Sequence, residues 1–444
     1  MKDTKRRFEW FSFYDHTGLE RRLEQMAAEG WLLEEIGNFT WHYRRIEPKK
    51  LTFSVNYFPR ASQFDPEPSE EQRTFYDFCA HTGWTLAAAS AQMQVFYNDR
   101  PNPVPIDTDP ALEVEAIHQA AKKSWLLSQC ALLGVGVLNF GQYLWRLLDD
   151  PVTALSSPLL LFALMCWPVL FLLIGTELVT YFRWRRRALR AAQQGEFLAT
   201  KSHPMVQKLA LAAVLAGLVW CLTYLRGGML TMMVTMLVCT FGIVFVVTQL
   251  RELLKRYKAS VGVNRAVTLG ACVILPVIMV VLVTALVLTS GGRWLASSDE
   301  PPLALADLVE TPADGAPDQD VRLTQSPLLA VLDVRQYLSR GKDAGAPAPR
   351  WLNYTVTRVK AAALYGLCRD DLLHQYDRYQ RHYHPIDPAP WGAREAYQSA
   401  YEDSGPMDSY LLCYPDRIVE IEFDWTPTQG QMALVAEKLG RDGA

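Results

Sequence analysis

Five apolar runs occupy the middle of the chain, at residues 125–145, 158–182, 209–225, 229–250 and 267–289. A hydrocarbon core of about 30 Å takes about 20 apolar residues as helix, with roughly 17 the short limit. Each run falls in that range and holds at most one charged residue. Inside lipid every backbone N–H and C=O must be satisfied within its own segment, so runs of this kind fold as helices. They predict a membrane α-helical bundle of five transmembrane helices, spanning residues 111–292 with its flanks. A polar domain precedes it at 1–110, an acidic linker follows at 293–322, and a second polar domain closes the chain at 323–444.

Charge divides along the same lines. Lys and Arg against Asp and Glu number 15 against 19 for residues 1–123, 14 against 5 for 124–292, and 15 against 23 for 293–444. Neither polar domain is basic, so the electrostatic footprint of a nucleic-acid partner is missing and none is expected. The positive charge sits between the apolar runs. Arg183, Arg185, Arg186, Arg187, Arg190, Lys201 and Lys208 follow the second run, and Arg251, Lys255, Arg256, Lys258 and Arg265 follow the fourth. The two opposite loops offer Arg146 and Arg226. Excess Lys and Arg marks cytoplasmic loops, so the N-terminal domain is expected in the cytoplasm and the C-terminal domain outside it. Lys5, Arg6 and Arg7 lead into Phe8-Glu9-Trp10 and not into an apolar core, so no cleavable signal is expected.

Residues 8–99 carry one phrase twice. An aromatic alternating run, Phe8 to Tyr14, precedes a helix pattern from Gly18 to Glu29, then Gly30-Trp31-Leu32-Leu33 and a strand ending at Tyr43. The second copy runs from the strand Leu51–Phe58 through a helix at 70–82, capped by Ser69, to Gly83-Trp84-Thr85-Leu86 and a strand ending at Tyr97. Two such halves predict β-α-β-β-α-β, the ferredoxin-like arrangement of a cytoplasmic α+β domain. A glycine after each helix suits a left-handed C′ position, and both tryptophans read as core. Arg44, Arg45, Lys49 and Lys50 cluster between the halves, as a solvated hairpin tip or as a contact for anionic lipid. The four prolines at 101, 103, 105 and 110 read as a stiff linker.

Phe11, Tyr14-Asp15, Gly18, Leu23-Glu24, Met26-Ala27 and Gly30-Trp31-Leu32-Leu33, followed by Phe39, Phe53 and Val55-Asn56-Tyr57, resemble the bacterial domain of unknown function twenty-eight-twelve. The resemblance covers about residues 6–120, and Met-Ala-x-x-Gly-Trp-x-Leu is its most specific part. It implies a multi-pass protein of the plasma membrane in Gram-positive bacteria, often encoded beside a PadR-like regulator. It implies no activity, cofactor or catalytic residue.

Within the apolar runs Glu177 is the one ionisable residue. Its place near the cytoplasmic end lets it snorkel or pair with Arg183 or Arg186. Gln129, Asn139 and Gln142 can bond between helices, and a water-filled cavity lined by Gln129, Asn139 or Glu177 would be the mark of transport. Pro168 and Pro276 are expected kinks. The outer segment reads as a small α+β domain, with strands at 328–338 and 351–360, a helix at 361–383, a hairpin around Pro415-Asp416, and a last helix at 427–439 capped by Thr426. Cys368 and Cys413 are its two cysteines, able to form one disulfide if they approach closely enough. Tyr376, Tyr379, Tyr383 and Trp391 are the expected outer binding surface, for sugar or peptide. His374, His382 and His384 lack metal-ligand spacing, and no cofactor or metal is expected.

These features favour a non-enzymatic membrane protein that couples an outer sensing or binding domain to a cytoplasmic interaction module with a protein partner. A transporter or accessory subunit of an export or lipid-handling complex is the first alternative, and an envelope enzyme using Asp370, Asp371 or the histidines is the second. Alkaline phosphatase, active only outside the cytoplasm, tests the topology. Fused after residue 444 it is expected to be active, and after residue 195 inactive; the reverse pattern contradicts the inside assignment of the N-terminus.

Overall fold

A computed structural model describes residues 3–9, 11–37, 40–200, 204–225, 227–289, 300–309, 317–338, 350–401 and 405–440. Trp10, Phe39, Ser290-Gly291-Gly292, the loop 341–349 and most of the acidic stretch before residue 317 lie outside them. The chain forms two compact units. One comprises Met1–Leu138, Trp167–Leu215 and Val238–Val281, the other Asn139–Cys166, Ala216–Leu237 and Leu282–Ala444.

The first unit opens with the expected repeat, but with a different strand order. Its halves are β1 (Thr4–Arg7), α1 (His16–Ala28), β2 (Trp31–Ile36) and β3 (Trp41–Arg45), then β4 (Thr52–Tyr57), α2 (Glu70–His81), β5 (Thr85–Ser90) and β6 (Met93–Asn98). Each is β-α-β-β. The strands make two three-stranded antiparallel sheets, β1-β3-β2 and β4-β6-β5, in place of the single ferredoxin-like sheet expected. The reason lies after each helix. Gly30-Trp31 and Gly83-Trp84 start strands of their own, which turn back so that each helix is followed by a hairpin and not by one strand.

The two copies match down to their irregularities. Both hairpins shift register at the same place, between Leu33 and Glu35 and between Leu86 and Ala88. Both helices end on a glycine in the left-handed region, Gly30 at φ +85° and Gly83 at φ +94°. There a side chain is strained, and a Cβ on Gly30 would also meet the Ile46 carbonyl oxygen at 2.9 Å. The equivalent tryptophans part company. Trp84 is buried, its Nε1 donating to the Val104 carbonyl at 2.9 Å, whereas Trp31 is half-buried with Lys5 and Arg45 each 4.9 Å from its ring.

α3 (Pro110–Lys123) begins at the last proline of the expected linker. Asp109 caps it, Pro110 opens it, and Lys122 and Lys123 close it, each favourable at its own end of the helix dipole. Val114, Ile117, Ala120 and Ala121 enter the same core as Leu19, Leu23 and Met26 of α1.

The apolar runs fold as α4 (Trp125–Asp149), α6 (Pro158–Ala192), α7 (Pro204–Tyr224), α8 (Gly227–Arg256) and α9 (Val261–Thr289), with a short α5 (Pro151–Ser156) between the first two. Four of them are long and apolar enough to cross a membrane, and five spans result when α3 and α4, bent by 40°, count as one. Pro168 and Pro276 lie inside helices that continue past them. α6 has 35 residues, about 52 Å at about 1.5 Å per residue and well beyond the roughly 30 Å of a hydrocarbon core. The surplus is used at its C-terminal end, where Tyr181, Trp184 and Ala188 are buried in the N-terminal core.

In the second unit a seven-stranded antiparallel sheet runs in the order β10-β11-β12-β13-β9-β8-β7. Its strands are β7 (Asp318–Gln325), β8 (Leu329–Leu338), β9 (Arg350–Val359), β10 (Arg381–Ile386), β11 (Glu395–Tyr401), β12 (Gly405–Cys413) and β13 (Arg417–Phe423). The period of two sorts the side chains onto two cores. Leu412, Val419 and Ile421 face one with Trp391 and with Val435 and Leu439 of α11 (Gln429–Gly440). Leu411, Cys413 and Ile418 face the other with Cys368 and Leu372 of α10 (Tyr365–His374) and Val152 and Leu155 of α5. Ser326 Oγ fastens α5 by donating to the Leu155 carbonyl at 2.6 Å.

Three expectations for this region are corrected. Helix α10 stops at His374, and part of the remaining stretch forms β10. β7 begins inside the segment read as acidic linker, where Leu303 and Leu305 are also fully buried. α11 is capped by Thr428, whose Oγ1 accepts from Gln431 N at 3.3 Å, and not by Thr426.

Trp391 is 1 % exposed and Tyr379 is 60 % exposed. In denaturant unfolding of the full-length protein, Trp391→Ala is expected to lose about 3–5 kcal/mol and Tyr379→Ala to stay within about 0.5 kcal/mol of wild type. Equal losses would contradict the packing described.

Candidate functional site

Between β1 and α1 the chain runs Phe11-Ser12-Phe13-Tyr14-Asp15, and nearly all of it is held. Asp15 caps α1, accepting from Gly18 N at 3.2 Å. The Tyr14 ring lies 6.0, 5.3 and 5.8 Å from the rings of Trp125, Tyr181 and Trp184, and Phe13 lies 5.2 Å from Tyr57. This aromatic cage lowers the local dielectric and strengthens polar contacts within it. Burial first, then the carboxylates of Glu177 and Asp15, push the Tyr14 phenol above its ordinary value.

Two polar clusters close the cage. Ser12 Oγ donates to Glu177 Oε1 at 3.1 Å, and Gln207 Nε2 donates both to Ser12 Oγ at 3.1 Å and to the same Glu177 oxygen. Nearby, Thr200 Oγ1 donates to Asp15 Oδ1 at 2.6 Å, and Thr200 N donates to Thr17 Oγ1 at 2.8 Å. Glu177 is thus engaged by an N-terminal hydroxyl and an α7 amide, where snorkelling or pairing with Arg183 or Arg186 was expected. At about 100° per residue those arginines lie roughly 120° and 180° around α6 from Glu177, so neither shares its face.

A second strap joins the loop 58–69 to the ends of the long helices. Lys123 Nζ donates to the carbonyls of Pro59, Arg60 and Ala61 at 3.2, 3.0 and 3.4 Å. Arg251 donates to Gln63 Oε1 at 2.9 Å, and the fully buried Asn264 donates to the Phe64 carbonyl at 3.2 Å.

Between the two attachments lies a cavity of about 920 Å³. Its apolar lining comes from Leu132 of α4, Leu170, Leu173 and Ile174 of α6 and Leu269 of α9, and its polar lining includes Ser12, Gln129, Glu177, Gln207 and Arg265. Gln207 is 5 % exposed, and its Oε1 accepts no hydrogen bond among the described residues. An acceptor left in that condition costs about 1–3 kcal/mol. Gln129 and Glu177, two of the residues expected to mark a transport cavity, line it together. The third, Asn139, belongs to the other unit.

Another buried titratable cluster of this unit joins α1, α3 and β4. His16 Nε2 meets Glu113 Oε1 at 2.9 Å, and Glu20 accepts from Val55 N at 2.8 Å. Burial pushes Glu20 up to about 7. Burial acts to lower His16 and the Glu113 carboxylate more than offsets it, leaving it raised. Every member faces a partner inside the core, which describes structural groups.

The other sequence-selected residues fall in separate places. Arg44, Arg45, Lys49 and Lys50 are exposed; Lys49 pairs with Asp99 at 2.9 Å and Arg45 lies over Trp31. Cys368 and Cys413 share one apolar cluster as free thiols, both pushed up to about 11 chiefly by burial. Trp391 is withdrawn from the outer surface, because its ring fills the core beside Tyr410 at 4.8 Å. Tyr383 donates to Glu420 at 3.0 Å and both it and Tyr376 are half-buried, leaving Tyr379 as the exposed member of the set.

Several sequence-selected polar residues of the second unit have partners of their own. Asp370 pairs with Arg369, and His374 Nδ1 lies 2.7 Å from the Asp370 carbonyl. His382 meets Asp377 at 2.8 Å, while Asp371, pushed up to about 6 by burial and by Asp150, bonds the Val152 backbone. Among the described residues no group of three His, Cys, Asp or Glu could hold a metal.

Comparison with known families agrees with the sequence resemblance. The model of a protein family of unknown function, DUF2812, matches residues 16–130. No curated protein and no solved structure gives a significant match.

Sequence reading missed Ser12, Thr200 and Gln207. The signal available was weak: Ser12 is a small polar residue inside an aromatic run, and Gln207 precedes an apolar run by two residues. Replacing Glu177 with Leu removes the acceptor both of them use. Hydrogen exchange of residues 11–19 is expected to rise roughly 5- to 150-fold, the equivalent of about 1–3 kcal/mol for stranded buried donors. Unchanged protection would show that the contact does not hold this segment.

Proposed function

We propose that this multi-pass membrane protein couples an outer sensing or binding domain to a cytoplasmic module, through helices that contribute residues to both units. On this reading the N-terminus is cytoplasmic, the C-terminal domain is extracytoplasmic, and the membrane is a bacterial plasma membrane. The N-terminal domain serves as the platform for a protein partner, and Arg44, Arg45, Lys49 and Lys50 as its contact with anionic headgroups. The observation that carries the proposal is the attachment of that domain. Its core includes Tyr181, Trp184 and Ala188 of α6, and its aromatic segment bonds Glu177 and Gln207. A domain on a loose linker would not feel a tilt of α6, whereas one sharing its core with that helix must repack.

A second reading, an accessory role in lipid handling or export, is favoured by the cavity that Gln129 and Glu177 line. Antibody fragments against the outer domain, bound to the full-length protein in nanodiscs, separate coupling from mere anchoring. Coupling predicts that at least some of a panel change hydrogen exchange in residues 11–19 and 58–69 several-fold. No change across the panel would contradict it.

A further inference from the structure

We propose that the cavity beneath the N-terminal domain is a binding site for a phospholipid with a primary ammonium head, of the phosphatidylethanolamine type. The inference rests on the docked arrangement of that domain, since the docked segment supplies one wall.

The cavity's lining selects the chemistry at both ends. Leu132, Leu170, Leu173 and Leu269 come from helices whose length and apolarity suit a membrane, so the apolar part offers an acyl chain the surroundings it has in a bilayer. The opposite part is rich in acceptors. Gln207 Oε1 is buried and takes no hydrogen bond among the described residues, and Glu177 beside it brings a carboxylate. Three of the lining donors are committed already. Gln207 Nε2 and Ser12 Oγ point at each other and at Glu177, and Lys123 is spent on three backbone carbonyls. Among the described residues Arg265 makes no ion pair with Glu177, so Gln207 Oε1 and Glu177 have no cationic N–H partner of their own.

A primary ammonium has three donors and one positive charge, which suits an amide oxygen and a carboxylate together. A quaternary ammonium carries the same charge but no N–H, and would leave Gln207 Oε1 as it stands. An anionic head could bring its phosphate to Arg265 but would supply no positive charge to Glu177. Arg265 lines the same cavity, is exposed, and makes no ion pair among the described residues. It can take the phosphate that an ethanolamine phospholipid carries next to its ammonium. A volume of about 920 Å³ accommodates a headgroup and the first part of a chain.

The test uses full-length protein in detergent, titrated with dioleoyl phosphatidylethanolamine, phosphatidylcholine and phosphatidylglycerol and read by native mass spectrometry. The tails are identical, so differences report the head. Phosphatidylethanolamine is expected to bind at least ten-fold more tightly than phosphatidylcholine. Gln207→Leu should abolish that preference, and Leu170→Trp, about two helical turns from Glu177 in the apolar lining, should weaken all three lipids. Equal binding of the ethanolamine and choline lipids by wild type, strongest binding of phosphatidylglycerol, or a preference that survives Gln207→Leu would each overturn the proposal. Hydrogen exchange of residues 11–19 in the same samples separates the two readings. Intact protection without an ethanolamine preference refutes the ligand and leaves docking standing. If both variants undock, the wild-type ratio decides alone, ten-fold in favour and unity against.

Discussion

The first unit depends on one carboxylate sharing an aromatic cage with the segment before α1. Glu177 accepts from Ser12 and Gln207 while Tyr14, Trp125, Tyr181 and Trp184 pack around the segment. A charge or polar group in such surroundings is costly unless its hydrogen bonds are made, so the contact specifies one position of the N-terminal domain and penalises others. The strap of Lys123, Arg251 and Asn264 on the loop 58–69 adds a second point, and two points define an orientation where one defines only a tether.

The same economy explains the length of α6. A crossing needs about 20 residues, and the remainder of this 35-residue helix is lined with Tyr181, Trp184 and Ala188 on the face that enters the domain core. The arginines between them, on other faces, stay out of that core. In the second unit α5 plays a comparable part: a six-residue helix just beyond α4 is packed into one core of the seven-stranded sheet through Val152 and Leu155. Both folded regions are thus built around pieces of the segment that carries the apolar runs.

How much of this was legible from residues alone follows from the range of each interaction. The apolar runs were, because bilayer solvation acts on each segment by itself. The repeat was too, since Gly30 and Gly83 answer a local backbone demand, and the alternation in β13 placed Val419 and Ile421 on one face. The ferredoxin-like sheet was not correct, because hairpin pairing after each helix depends on a turn and a register shift that composition does not reveal. Trp391 looked like a surface aromatic among tyrosines, and only the packing of α11 and Tyr410 around it shows its burial. The Ser12–Glu177–Gln207 contact joins residues up to 195 positions apart, and nothing local to any of them announces the others. Glu177 was conspicuous as a lone charge, yet its partner was sought among nearby arginines, when the helix turns those away.

Ser12 and Glu177 act as one unit in holding the N-terminal domain. A double-mutant cycle of Ser12→Ala and Glu177→Gln in the full-length protein, read through the exchange free energy of residues 11–19, measures that directly. The expected coupling is about 0.5–3 kcal/mol, the range for residues sharing a hydrogen-bond network. Additive effects of the two substitutions would contradict it.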